Sequence, residues 1–351
     1  RAVALEMVSP ARRRQLHRAV AEAIAVERHR DIDAASPQLA AHYDQAGMVE
    51  PAIDAYRVAG GRAVAVSALE EAVTMFRRAL ALLADLPPSP DRDALELDIR
   101  IALGSPLVAL EGYGSNSAHQ LYERALSLCR KLHRPVDPPI LRGLGLARLQ
   151  GCRFDDCDEL ARALLDHESH DAIAGTEGRY LLGVSAFWRG DLARARHYLG
   201  GAIEAYDVSH RDEHLALYTQ DPKAVCLVRL ALVELWAGDA GRADKTARSA
   251  LEIAVDLDHL MTLGYVITYA AILADESEDL VRLAELLADA DLLWKRLSER
   301  YLMVVLEALR GWLDVCAGSA EGIEKIVRSV ARSRSEGETL HLTYTLLLLA
   351  R

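Results

Sequence analysis

Apolar residues recur along this chain at helical spacing, and the clearest case runs from Glu177 to Tyr206. Leu181, Leu182, Ser185 and Trp188 form one stripe, Gly190 interrupts it, and Leu192, Ala195, Leu199, Ala202 and Tyr206 form a second. Two stripes parted by a glycine predict a helical hairpin. Gly190 is placed to end the first helix and Asp191 to cap the second. Gly183 and Ala195 leave room for the backbones to approach, with Leu182 and Leu199 supplying bulk between them. Trp236-Ala237-Gly238-Asp239 and Arg242-Ala243 repeat Trp188-Arg189-Gly190-Asp191 and Arg194-Ala195 at five positions. Repetition of one unit predicts a tandem array.

From Pro138 onward the hairpins centre on Gly151, Gly190, Gly238, Asp275 to Ser277, and Gly318. Small or apolar anchors follow at Cys157, Ala195, Ala243, Ala284 and Ile323, separated by 38, 48, 41 and 39 residues. That period belongs to two-helix solenoid repeats. The long step holds an insertion, His210 to Pro222, in which Gln220 and Asp221 suit the cap of the next helix and Pro222 its first turn. A last stripe opens at Leu340. The chain begins at Arg1 and stops at Arg351 inside a Leu-rich stripe, so a fragment of something larger is expected.

Upstream the units are less regular. Residues 10–29 predict one amphipathic helix with Leu16, Ala19, Val20, Ala23 and Ile24 on its apolar face. Arg12, Arg13, Arg14, His17 and Arg18 crowd its early turns; phosphate contact and a solvated face are both readings of that cluster, and the missing aromatic or Gly-rich context favours the second. Hairpins begin at Ser36: Leu39, Ala40 and Tyr43 lead to Gly47, and Ala52, Tyr56 and Ala59 return. A shorter unit carries Ala72, Phe76 and Ala79, and Pro87, Pro88 and Pro90 then break the pattern. Residues 91–133 predict two helices joined by Gly112 to Ser117, the first kinked near Gly104 and Pro106. The turn lacks the Gly-Lys-Ser/Thr ending of a phosphate-cradling loop, and no such motif occurs in the chain. The divisions expected are 1–30, 31–133 and 134–351.

Composition narrows the function. About half of the 351 residues are apolar but only 5% are aromatic, so alanine and leucine must fill the core between closely stacked helices. The formal charge of −11 speaks against nucleic-acid binding by the piece as a whole. The most apolar run, Leu342 to Ala350, is under half of the ~20 residues that a spanning helix needs, so no membrane contact is expected. Five cysteines lying in helical stripes read as buried thiols of a cytosolic protein. Cys152 and Cys157 have no second pair, and no metal or cofactor site is expected.

The marked positions resemble the tetratricopeptide repeat: Leu182, Gly183, Gly190, Ala195, Leu199 and Ala202 match its consensus in one unit. Ala231, Gly238, Ala243, Ala247 and Ala250 match in the next, and Gly311, Gly318 and Ile323 in a later one. The units exceed 34 residues and lack the terminal proline of that consensus. The variant is similar to the repeat region that follows the ATPase in bacterial multidomain signalling ATPases of actinobacterial type. Residues Arg12 to Glu22, His42 to Gly60 and His214 to Pro222 carry that likeness. The resemblance implies an all-α solenoid in a cytoplasmic protein. Residues 1–30 would end a winged helix, and the repeats would regulate an attached ATPase and a cyclase or LuxR-type output domain. No catalytic residue is carried over.

The predicted function is therefore a non-catalytic scaffold binding a protein, a peptide or a small effector in a groove of first helices. An oligomerisation module, including a homo-oligomer, and an enzyme with an unrecognised site are the alternatives. By repeat register the groove candidates are Arg142, Gln150, Tyr180, Phe187, Trp188, Val228, Trp236 and Trp312. Trp188 and Trp236 occupy equivalent places in neighbouring units; paired indoles on a groove and indoles packed between repeats are both readings. His210, His214, Tyr218, Gln220 and Asp221 of the insertion form a second candidate surface. His210 and His214 stand at zinc-ligand spacing without a fixed third ligand.

Overall fold

The computed structural model describes residues 9–28, 31–66, 68–294, 302–336 and 339–351. All regular structure among them is helical, and the chain divides into two compact units. One comprises residues 1–107 and 124–135, the other residues 108–123 and 136–351. The second holds the hairpins from Pro138 onward together with residues 108–123.

In the first unit α1 (Pro10–Glu27), α2 (Ser36–Ala46), α3 (Val49–Ala65) and α4 (Leu69–Ala84) pack in sequence. The buried face of α1 is not the one that its leucine and valine mark. Leu16 and Val20 stand 42% and 41% exposed, and Ala21 is enclosed against Ala35 and Leu39 instead. Ala21 and Ala25 are small enough to let α1 lie close, with Ile24 of the predicted face packed beside them, so fit chooses this side over the one marked by Leu16 and Val20. The later stripes follow the sequence pattern: Ala52, Tyr56, Ala59, Ala72, Phe76 and Ala79 are all buried. Helices α5 (Pro90–Glu111) and α6 (Asn116–Leu132) come next, α5 running unbroken through Pro106. Within the first unit Glu96 of α5 receives hydrogen bonds from Arg100 and from Arg124 of α6.

The second unit is built of hairpins. They are α7 (Pro138–Gln150) with α8 (Phe154–Asp166), α9 (Ala172–Trp188) with α10 (Leu192–Ala205), and α12 (Pro222–Trp236) with α13 (Ala240–Leu257). Then come α14 (Leu260–Glu276) with α15 (Leu280–Trp294), α16 (Met303–Cys316) with α17 (Glu321–Glu336), and a last helix α18 (Leu342–Ala350). The insertion folds as a 3-10 turn, Val208–His210, and α11 (Arg211–Tyr218). First helices α7, α9, α12, α14 and α16 lie beside one another in order, and each second helix also touches a neighbouring hairpin. No hairpin can bury its apolar stripe alone; stacking closes it.

Turn chemistry is repeated with variations. Gly190, Gly238 and Gly318 take positive φ at the ends of first helices, where a Cβ would be strained. Asp191 and Asp239 then cap the next helices through the backbone N–H of Arg194 and Arg242. At the first hairpin of the array the left-handed residue is Cys152 rather than Gly151, and at the fourth it is Glu278. The anchors shift with them. Cys157, Ala195 and Ala243 are buried as predicted, but Ala284 and Ile323 are exposed. Leu283 and Gly322 take the enclosed places. Gly322 is needed because α16 and α17 meet backbone to backbone at Gly311 and Gly322. In the α9–α10 hairpin Leu199 lies directly over Gly183, as the small-against-large pattern implies.

The cysteines correct one expectation. Cys129, Cys157 and Cys226 are buried, but Cys152 and Cys316 are exposed. Cys152 sits exposed on the turn of the first hairpin and Cys157 is buried in the helix that follows it, and no metal-ligating group forms around them among the described residues. Burial pushes the Cys157 thiol up to about 12.

Candidate functional site

The first helices of the second unit bring together two buried arginines, and these organise the candidate site. Arg142 of α7 is 1% exposed and Arg229 of α12 is 3% exposed. Both are enclosed between neighbouring first helices. A guanidinium there must find its partners inside the protein.

Arg142 finds a carboxylate. Its Nε donates to Glu177 Oε2 of α9 at 3.0 Å, its Nη1 donates to the Tyr113 hydroxyl, and its Nη2 donates to Gln220 Oε1 at 3.3 Å. The rings of Tyr113, Tyr180 and Tyr218 surround its plane at 5.2, 5.1 and 5.6 Å. Burial alone would raise the Glu177 carboxyl, but Arg142 and the hydrogen bond with His214 outweigh it and hold the group below its ordinary range. Since Glu177 is ionised, the His214 Nδ1 at 2.9 Å from its Oε1 is the donor. Charge is thus balanced and tied to the insertion.

That tie changes the account of the insertion. His214 is 1% exposed, not a surface side chain, while His210 stays half-buried beside Glu213. The two histidines therefore face different surroundings, and no group of three metal-ligating side chains exists among the described residues. Tyr218 is buried over Arg142. Gln220 does not cap α12 but accepts from Arg142. Asp221 is the cap: its Oδ1 accepts from Ala224 N at 2.9 Å, and its Oδ2 accepts from Tyr206 and Arg211 at 2.6 and 3.2 Å. The insertion is a bracket fixed between α9 and α14, because Asp221 N also donates to Thr262 Oγ1 at 3.0 Å.

Arg229 finds only neutral partners. Its Nε donates to the Tyr265 hydroxyl, and its Nη2 donates to the Tyr269 hydroxyl at 2.6 Å. Four rings enclose the guanidinium: Tyr269 at 4.1 Å, Phe187 at 4.9 Å, Tyr265 at 5.3 Å and Trp188 at 5.5 Å. Its Nη1 has no hydrogen-bond partner. Beside it lies a cavity of about 30 Å³, lined by Gln150, Tyr180, Gln220, Arg229, Tyr265 and Tyr269 and also by Leu340 and His341. Those last two residues come from the segment before α18. His341 Nε2 is 2.7 Å from the Tyr269 hydroxyl and its ring stands edge-on to Trp188 at 5.0 Å. Thr339 Oγ1 donates to the Gln150 carbonyl at 2.7 Å, joining that segment to the end of α7.

The predicted groove residues divide accordingly. Arg142, Tyr180, Phe187 and Val228 are enclosed, and Val228 is fully so. Gln150, Trp188 and Trp312 are half-buried and Trp236 is 42% exposed. The two indoles do not lie side by side. Phe187 intervenes, 5.4 Å from Trp188 and 5.2 Å from Trp236, while Trp236 Nε1 donates to Glu276 Oε2 at 3.1 Å. Trp312 packs instead near Arg351. Arg229, Glu177, Tyr265, Tyr269 and His341 were missed by the sequence reading. A signal existed, since Arg229 is a lone cation inside Val225 to Leu235 and the tyrosines of α14 stand four apart.

No family model matches the chain. An uncharacterized protein of Rhizobium meliloti (strain 1021), R02095, is 25% identical over 316 residues, which are 87% of this chain and 30% of that protein. The chain thus spans less than a third of that relative's length. Among solved structures, that of a Rap protein complexed with competence and sporulation factor superposes with a TM-score of 0.57. It shares 12% identity, over 85% of this chain and 84% of that one. The fold is an α-solenoid of tetratricopeptide-like hairpins. At that identity the likeness speaks to fold alone, and function has to come from the residues.

Proposed function

We propose that this chain is a non-catalytic, ligand-binding scaffold whose first-helix face takes a protein or peptide partner. The observation that carries the reading is the placement of aromatic and charged side chains on that face. Phe187, Trp188, Trp236, Tyr265, Tyr269 and Arg229 converge there, Trp236 and part of Trp188 reaching solvent and the others buried beneath, in a chain otherwise packed with alanine and leucine. Large rings beside a guanidinium are the residue types that dominate recognition surfaces. The Rap protein of similar fold holds a competence and sporulation factor, which supports the same use here.

In the longer protein we take the scaffold to regulate an attached ATPase and a cyclase or transcription-regulator domain. The resemblance of residues 12–22, 42–60 and 214–222 supports that context, and a relative more than three times as long as the matched stretch leaves room for further domains. A partner that prefers one arrangement of the hairpins shifts the attached domains by no more than its differential affinity. The test is to pan a displayed random-peptide library on the full chain and to read binders by tryptophan fluorescence. Enriched peptides should lose affinity on Trp236→Ala and Phe187→Ala. Failure to enrich any peptide, or binders indifferent to both substitutions, sinks the reading.

A further inference from the structure

We propose that Arg229 and its ring of aromatic side chains form a carboxylate-binding subsite, closed in this state by Thr339, Leu340 and His341. The inference deepens the scaffold reading by assigning a chemistry to part of its ligand, and it rests on that reading. Charge bookkeeping points to it first. Among the described residues of the second unit, Arg142 is matched by Glu177, Asp221 by Arg211, Glu234 by Arg242, and Asp275 by Arg351. Arg229, 3% exposed, is also buried and has no carboxylate. Two phenols hold it in place without neutralising it, and its Nη1 is left over.

The surroundings of that nitrogen suit a small anion. The adjoining cavity of about 30 Å³ is the size of one or two water-sized groups, enough for a carboxylate head and little else. Gln220 lines the same cavity with its carbonyl oxygen taken by Arg142, and Tyr180 and Tyr265 line it with hydroxyls bonded to each other, which leaves one phenolic proton to donate. Gln150 Oε1 is also unpartnered, and a half-turn of its amide presents a donor in its place. A negatively charged group among buried donors gains far more than it would in water.

The occupant must bring more than a carboxylate, because a peptide segment already lines the pocket. Leu340 and His341 are 5% and 2% exposed, held by Thr339 on Gln150 and by His341 on Tyr269 and Trp188. A ligand reaching Arg229 with an apolar side chain beside its carboxylate replaces Leu340 and lifts His341 off Trp188. Binding and release of this strap are then one equilibrium, and closure lowers the apparent affinity by the fraction of open chains.

The probe is acetate, with acetamide as its uncharged isostere, titrated against the full chain and followed by tryptophan fluorescence, Trp188→Phe identifying the part that Trp188 contributes. Acetate should give a saturable change that acetamide does not, and Arg229→Met should abolish it. The double variant Leu340→Ala/His341→Ala should bind acetate about tenfold more tightly or better. Should Arg229→Met fail to fold, the gain in the double variant decides alone. No acetate-specific response in either the wild type or the double variant overturns the subsite, and so does a response that survives in folded Arg229→Met. A second arm separates the source of the carboxylate, using the enriched peptides with free and with amidated C-termini. Dependence on the free end assigns a peptide terminus. Acetate binding with no peptide binding keeps the subsite for a small organic acid and removes the peptide reading. Peptides indifferent to Arg229 leave the scaffold and remove the subsite.

Discussion

Two arginines with the same burial carry opposite energetic signs. Removing Arg142 strands Glu177 as a buried carboxylate beside His214, so Arg142→Met should lower stability by about 3–5 kcal/mol in denaturant unfolding. Removing Arg229 strands nothing charged: Tyr269 keeps His341 as a partner and Tyr265 keeps Tyr180. Arg229→Met should therefore leave stability unchanged or raise it, as expected of a side chain kept for binding. Carboxylates set the acid limit of each unit. Glu96 is pulled from 4.5 down to about 2, chiefly by its hydrogen bonds from Arg124 and with help from Arg100. A depressed native value contributes stability above the unfolded pKa, and that contribution is lost as pH falls from about 4.5 toward 2. Unfolding of the first unit, followed by circular dichroism, should show this slope in the wild type and a flatter one in Glu96→Gln.

At the scale of elements, small residues decide where helices touch. A Cβ on Gly311 would stand 2.6 Å from the Gly322 carbonyl oxygen, a backbone atom that cannot swing aside. Gly311→Ala should cost about 2 kcal/mol or more by forcing α16 from α17. Gly200 on α10 meets nothing within 4 Å, so Gly200→Ala should add up to about 1 kcal/mol of helix propensity. Thermal melts of the two variants should move in opposite directions. The hairpins themselves were legible because stripe, glycine and Asp cap fall in fixed order at Gly190 and Gly238. The anchors at 284 and 323 were misplaced by one residue because Glu278 takes the left-handed turn without glycine's signature and because Gly322 answers to a contact with Gly311. The apolar face of α1 failed for a related reason, hydropathy pointing to Leu16 while the close fit at Ala21 chose the buried side.

Across the whole molecule the tryptophans make a convenient reporter, since all four lie beyond residue 136 and so within the second unit. Fluorescence therefore reads the unit that holds the arginine sites, and circular dichroism reads both. Ending the chain at Glu336 removes Leu340 and His341 from over the pocket and His341 from the face of Trp188. Quenching of tryptophan by acrylamide should rise in that variant while the helices up to α17 keep their dichroism, because each hairpin is stabilised mainly by its immediate neighbours. Quenching equal to that of the full chain would count against the strap. Periodicity, small residues and caps determined that the chain is a stack of helical hairpins, since those signals act within one turn or between adjacent helices. The arginine sites were decided only by tertiary structure. Arg142 meets Glu177 35 residues away and Gln220 78 away, while His341 meets Tyr269 at a separation of 72. No local pattern records which buried charge will find a counter-charge, because burial and pairing exist only once distant helices have stacked.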